Sequence, residues 1–371
     1  MPARIRRRDE GPCRGPGATA LHKQRDPSLR HNPNFNFALA LAERLSMGQH
    51  LCALARCLAG SALNLRDFDE ASRLGARLSR NYAARGGPEE RAAAYHQLGR
   101  IAEEQRDFAV ARDWYLKSVA IWREEGLEAY AAAAYHQLGV IAGDQQDFAS
   151  AKERYLKSLP MSERQDNPRL AASTYHQLGI VAQREREYAL AREWYLKSLA
   201  ISRSHGDMHQ VAATSHELGT VAENLREFTE AQEWYLKSLA ISKRHGIEHG
   251  AAMTYHQLGR AAYEQKDLPS ARKWYLESLA IKEKQGNLHG AALTYGQLGI
   301  VAGMQGSFEE SGTWMIRSKT AFRDAHDQQE ADRQIPNFLV TYQHASPADK
   351  QKLEAIWRDA NLGPFPTEPN E

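Results

Sequence analysis

The chain has 371 residues, is 42% hydrophobic and 25% charged, and carries a formal net charge of +2. That balance suits a folded, soluble chain and gives no footprint for nucleic acid or for an acidic partner. No stretch approaches the roughly 18 apolar residues that cross a bilayer, and no secretory signal opens the chain. Its three cysteines, Cys13, Cys52 and Cys57, are too few for a disulfide framework or a zinc site and read as reduced thiols of a cytosolic protein.

Residues 1–36 are basic, rich in Gly and Pro, and lack apolar periodicity. Eight Arg and Lys face three Asp and Glu over residues 1–31. The composition predicts a disordered tail, and Met47 is an alternative start. Residues 37–90 hold helical material and a worn repeat: Phe68, Ala71 and Gly86 each sit 40 residues before Phe108, Ala111 and Gly126. The Trp114-Tyr115 pair is Leu74-Gly75 there. A terminal unit has a neighbour on one side only, so this segment reads as a cap.

From residue 91 to 330 the same 40 residues recur six times without drift. Gly99 returns as Gly139, Gly179, Gly219, Gly259 and Gly299, and Tyr95 returns everywhere except at Ser215. A period of this size means one supersecondary unit stacked on copies of itself. Each copy reads as two helices. In the first, Tyr95, Leu98, Gly99 and Ala102 fall on one helical stripe. Gly99 within a helix costs about 1 kcal/mol relative to Ala, so its recurrence predicts close helix–helix approach. Asp107 is placed to cap the second helix, which buries Phe108, Ala111, Tyr115, Ser118 and Val119. Gly126, Gly206, Gly246 and Gly286 suit a left-handed terminus.

Two copies depart from the pattern. In residues 131–170, Arg154 replaces Trp and Pro160 stands inside the second helix, which predicts a local bend. In residues 291–330, Gly303, Gly306, Ser311 and Met315 erode the motif. The reading ends with capping helices over 331–361, the second opened by Ser346-Pro347-Ala348-Asp349, and a loose tail over 362–371.

The set Tyr95, Leu98, Gly99, Phe108, Ala111, Tyr115 and Ser118 resembles the tetratricopeptide repeat, in which a Leu-Gly, an aromatic, an Ala and a second aromatic fall at this spacing. The period is longer than that family's usual unit of about 34 residues. It resembles the extended repeats of kinesin light chain, nephrocystin and the Pins-type spindle adaptors, and the near-identical copies are more like bacterial arrays. The resemblance implies an all-α, right-handed superhelical TPR solenoid of antiparallel helix pairs with degenerate caps.

No phosphate loop, dinucleotide fingerprint, HExxH or nucleophile elbow is present, and the chain reads as a non-enzyme without a cofactor. His205 with His209, and His245 with His249, have a metal-like spacing, but each pair straddles a Gly and lacks further ligands, so no metal is expected. The Trp-Tyr pairs read as inter-helix core, and Lys117, Lys157, Lys197 and Lys237 as a solvated face. The resemblance places the first helix of each repeat along a concave groove. Candidate groove residues are His96, Gln97, Arg100, Glu103, Glu104, His136, Gln137, Asp144, His176, Gln177, Arg184, His216, Glu217, Glu223, His256, Gln257, Arg260 and Glu264. An imidazole and amide ladder of this kind can hydrogen-bond a peptide and would respond to pH near 6–7. Duplication of a His-Gln dipeptide without selection for a ligand accounts for the column equally well.

The expected function is that of a scaffold or adaptor holding a protein or peptide partner in this groove, with no nucleic acid and no membrane partner. A regulatory sensor arm working with a separate signalling ATPase or transcription regulator is the alternative. The Lys and Asn clamp of chaperone-binding relatives is absent, since those places carry His and mostly Val, Ile, Arg or Thr.

Overall fold

A computed structural model describes residues 87–366. The basic tail, the worn repeat up to residue 86, the three cysteines and the last five residues lie outside the described part. The chain divides into two compact units, one ending at Gln165 and one beginning at Asp166. The described part of the first holds α1 (Pro88–Glu104), α2 (Phe108–Glu124), α3 (Glu128–Asp144) and α4 (Phe148–Arg164). The second holds α5 (Pro168–Arg184), α6 (Tyr188–Ser204), α7 (Met208–Asn224), α8 (Phe228–His245) and α9 (Glu248–Glu264). It continues with α10 (Leu268–Lys284), α11 (Leu288–Met304), α12 (Phe308–Asp324), α13 (Gln328–His344) and α14 (Pro347–Asp359). Among the described residues there are no strands. Within each unit consecutive helices up to α13 pack on one another, as antiparallel pairs of a tetratricopeptide-type solenoid, and α14 folds back onto α12.

The turns explain why the register never slips. Asp107, Asp147 and Asp267 each cap the following helix by accepting the amide of the third residue on, at 3.1–3.3 Å. Between repeats, Gly126, Gly206, Gly246 and Gly286 adopt φ of 65–69°. Inside each repeat the same left-handed conformation falls on Arg106, Gln146, Arg186, Arg226 and Lys266, at φ of 61–63°. Arg106-Asp107 marks this turn in the sequence but not its left-handed conformation, since glycine takes the position only in the sixth repeat, as Gly306 at φ 76°. Asp166 and His326 take the left-handed position where the other links have glycine.

The pairs are locked by the recurrent glycine. A Cβ built on Gly99, Gly139, Gly179, Gly219 or Gly259 would lie 2.5–2.8 Å from the ring of Tyr115, Tyr155, Tyr195, Tyr235 or Tyr275. All five tyrosines are fully buried. The adjacent serine column completes the contact: Ser158, Ser238, Ser278 and Ser318 donate to the carbonyls of Ala132, Ala212, Ala252 and Ala292 at 2.7–2.8 Å. In the sixth repeat Met315 fills the tyrosine place beneath Gly299, and Ser311 Oγ donates to the Gly299 carbonyl at 2.7 Å.

Helix α4 runs unbroken from Phe148 to Arg164 through Pro160, so the proline does not interrupt it. The boundary between the two compact units follows one residue after its end. At the other end of the second unit, Leu353 and Trp357 of α14 join Met315, Ile316 and Phe338 in one apolar cluster. Leu353 reaches so close to Gly312 that a Cβ there would lie 2.4 Å from Cδ2.

The glycine contact yields a test in which two effects oppose each other. Helix propensity alone makes Gly179→Ala stabilising by about 1 kcal/mol. Overpacking against Tyr195 makes it destabilising by about 1–3 kcal/mol. We expect the second to win, read as a lower urea midpoint for Gly179→Ala than for the parent chain.

Candidate functional site

On every first helix a stripe at i, i+4, i+7 and i+11 stays exposed or half-buried while its neighbours pack. In the first unit it reads Ala93, Gln97, Arg100, Glu104 on α1 and Ala133, Gln137, Val140, Asp144 on α3. In the second it reads Ser173, Gln177, Ile180, Arg184 on α5 and Ala213, Glu217, Thr220, Asn224 on α7. It continues as Met253, Gln257, Arg260, Glu264 on α9 and Leu293, Gln297, Ile300, Met304 on α11. Eleven of the eighteen predicted site residues stand on these stripes.

Glu103 and Glu223 do not. They turn toward the second helix of their own repeat, where Tyr115 and Tyr235 hydroxyls donate to them at 2.6 and 2.8 Å. Burial pushes the Glu103 carboxyl up, against the pull of the Tyr115 hydrogen bond. Glu223 is buried, and it also meets Arg260 of the next repeat at 2.8 Å. Tyr195 completes the series by donating to Gln183 at 2.9 Å. Glu217 bonds Gln183 as well, and burial holds its carboxyl above the usual range.

The histidines are placed differently from the open ladder expected. His96, His136, His176, His216 and His256 each lie 5.1–5.5 Å, centroid to centroid, from the buried tyrosine of their own repeat. His136 and His216 are only 9% exposed. In the second unit His176, His216 and His256 Nδ1 reach Thr214, Thr254 and Thr294 of the following repeat at 3.1, 3.1 and 3.3 Å. Thr254 and Thr294 spend their own protons on the Gly250 and Gly290 carbonyls. Their oxygens are therefore acceptors, and the proton of the neutral imidazole sits on Nδ1. In the second unit the column belongs to the seam between repeats. The signal was present in the sequence: Thr214, Thr254 and Thr294 follow their histidines by 38 residues.

This placement also corrects the expected pH response. Burial pulls His96, His136, His176 and His216 down to about 4, and His256, beside the Lys282 and Arg260 charges, to about 3. Lys282 occupies the seam position that is Ser202 and Ser242 in the two preceding repeats. It is 8% exposed, donates to Thr294 Oγ1 at 2.9 Å, and is lowered by burial to about 8.

The tryptophans are half-buried rather than fully in the core. Trp114, Trp194, Trp274 and Trp314 stack on Tyr95, Tyr175, Tyr255 and Tyr295 at 5.3–5.7 Å. Lys117, Lys197 and Lys237 are exposed, as a solvated face requires, and lie over Trp114, Trp194 and Trp234 at 4.1–4.5 Å, so the column also covers these rings. Among the described residues no group of three or more His, Cys, Asp or Glu could hold a metal. No described helix is long and apolar enough to cross a membrane.

A family model described as tetratricopeptide repeat matches residues 90–164, 130–204, 170–244 and 210–284, together more than half of the chain. The chain is a tetratricopeptide repeat protein. No curated protein matches it. Among solved structures it is similar to the apo form of RapI, with a TM-score of 0.60 at 14% identity, covering 77% of this chain and 99% of that one. The apo form of the quorum sensor NprR from B. thuringiensis gives 0.57 at 13% identity, with 87% and 95% covered. A Signal Transduction ATPase with Numerous Domains protein, with a tetratricopeptide repeat sensor, from Pyrococcus horikoshii gives 0.56 at 15%, with 92% and 53% covered. At these identities the likeness is one of fold.

Two measurements check the seam of this tetratricopeptide repeat protein. A histidine held neutral in the fold, with a folded value near 4 against an ordinary 6.5, lets the unfolded chain bind more protons between those values. Stability is therefore full above about pH 6.5 and falls as pH drops toward 4. Thermal melts from pH 7.5 to 4.5 should show a smaller loss for the His176→Gln/His216→Gln variant than for the parent. For Lys282 the folded value lies below the unfolded one, so the charged amine is the disfavoured form in the fold. Lys282→Met should raise stability at pH 7 by about 1–2 kcal/mol in urea unfolding, and the gain should shrink toward pH 10.

Proposed function

We propose that this tetratricopeptide repeat protein binds a protein or peptide partner along the exposed stripes of its first helices, as a scaffold or adaptor in the cytoplasm. The observation that carries the reading is the same polar position in each unit, Gln97 and Gln137 in the first and Gln177, Glu217 and Gln257 in the second. It places one half-buried amide or carboxylate per repeat at the centre of each stripe. A side-chain amide offers one acceptor and two donors, which matches the hydrogen-bonding groups of a peptide backbone. With the histidines assigned to the seam, binding rests on this row and on Arg100, Glu104, Asp144, Arg184, Arg260 and Glu264 around it. The reading includes no catalysis, cofactor, nucleic acid or membrane.

A sensor arm acting with a separate ATPase or regulator is the second reading. It is supported by the likeness in fold to a quorum sensor and to the sensor-bearing ATPase of Pyrococcus horikoshii. The two differ in what is bound, a folded partner or a short ligand, and the mass of a native complex separates them.

Affinity pull-down with mass spectrometry from the native host tests the face itself. A partner held there should be lost, by at least about tenfold, with Gln177→Ala/Gln257→Ala/Arg184→Glu. It should be retained with Leu196→Ser/Leu236→Ser, which alters exposed residues of the second helices. Equal recovery by both variants would remove the first-helix face from consideration.

A further inference from the structure

The stripes of the second unit change character along the array. On α5 and α7 they carry no exposed large apolar side chain. On the following first helices Met253 is 47% exposed, Leu293 43%, Met304 48% and Val340 of α13 56%. Nothing in the stacking requires this, because the seams behind these residues are filled by Tyr275, Met315 and Phe338. Methionine at two of the four positions gives a floor that adapts to differently shaped aliphatic groups.

The charges on the same face are mostly engaged. Arg260 is bound to Glu223, Glu217 to Gln183, and Arg333 to Glu330, the last a close ion pair. Arg184 on α5, whose charge also acts on the Glu217 carboxylate, and Glu264 on α9 are exposed at the ends of their stripes, and Glu264 stands in the place that Met304 takes one repeat later. The face therefore presents a guanidinium at one end and, two repeats on, a carboxylate at the edge of an apolar floor.

We propose that the occupant of this face is an extended peptide segment with an acidic residue for Arg184, a basic residue for Glu264, and aliphatic residues beyond it on Met253, Leu293, Met304 and Val340. The inference rests on the first-helix face being the binding surface and adds the chemistry of what it holds. The spacing follows from the fold. Helix α7 touches both α5 and α9, and at about 10 Å per step Arg184 and Glu264 lie about 20 Å apart, the span of roughly six extended residues. The amide row recurs once per step, so each amide meets about every third peptide residue.

Panning a phage-displayed random dodecapeptide library on the full chain tests this. Enriched peptides, resynthesised with a fluorescent label and measured by anisotropy, should carry an acid and a base about six residues apart with Leu, Ile, Val or Met beyond the base. Exchanging the acid and base in the best peptide should weaken binding at least about tenfold, and Arg184→Glu/Glu264→Arg should restore the exchanged peptide. Met253→Ser/Leu293→Ser/Met304→Ser should lose the parent peptide while its thermal melt stays within a few degrees of the parent chain's. Peptides that bind on this face, being lost with Gln177→Ala/Gln257→Ala, but with no preference for charge order or aliphatic residues, would overturn this inference and leave face binding standing. Peptides insensitive to every first-helix substitution, or no enrichment at all, would overturn both.

Discussion

The contact between the first-helix glycine and the buried second-helix tyrosine is the constraint on which the rest depends. It brings two helices close enough for serine hydroxyls to reach across to alanine carbonyls. It also presents the tyrosine ring as a platform for the histidine. In the second unit that histidine then reaches a threonine of the following repeat. Close approach inside one repeat is thus converted, through two side chains, into attachment of the next. A repeat of two helices cannot bury its own apolar face, so this linkage is where stability is gained.

Much of the fold could be read from the sequence because it depends on short-range rules repeated six times. The spacing of Tyr95, Leu98, Gly99 and Ala102 defines a helical stripe, and an Asp before Phe108 defines a cap. The turn at Arg106-Asp107 was legible but its left-handed conformation was not, since nothing in an Arg or Gln marks positive φ. Its conformation is imposed by the helices on either side.

The candidate site was legible in part. The stripes carrying Gln177, Arg184, Gln257 and Glu264 follow from helical periodicity and sit where that periodicity puts them. The histidines were harder, because a polar residue beside a core tyrosine faces either solvent or a neighbouring repeat. Periodicity cannot distinguish these when both neighbours are copies of the same unit. What decides it is a partner 38 residues away, and a hydroxyl at that distance carries meaning only once the repeats are stacked. Glu103 and Glu223 moved for the same reason: a tyrosine hydroxyl lies within reach of them and satisfies a carboxylate that would otherwise sit at the surface.

The seam between Thr214, Thr254 and their histidines uses the same atoms each time. A gene that gained or lost a whole copy at these two junctions by unequal recombination would leave no new surface to evolve, because the one is complementary to the other. Within the second unit, such events would lengthen or shorten the proposed binding face in steps of one first helix, about 10 Å. Arg184 and Glu264, which differ from their counterparts Asn224 and Met304 in that unit, are then the marks that give an interchangeable array a direction.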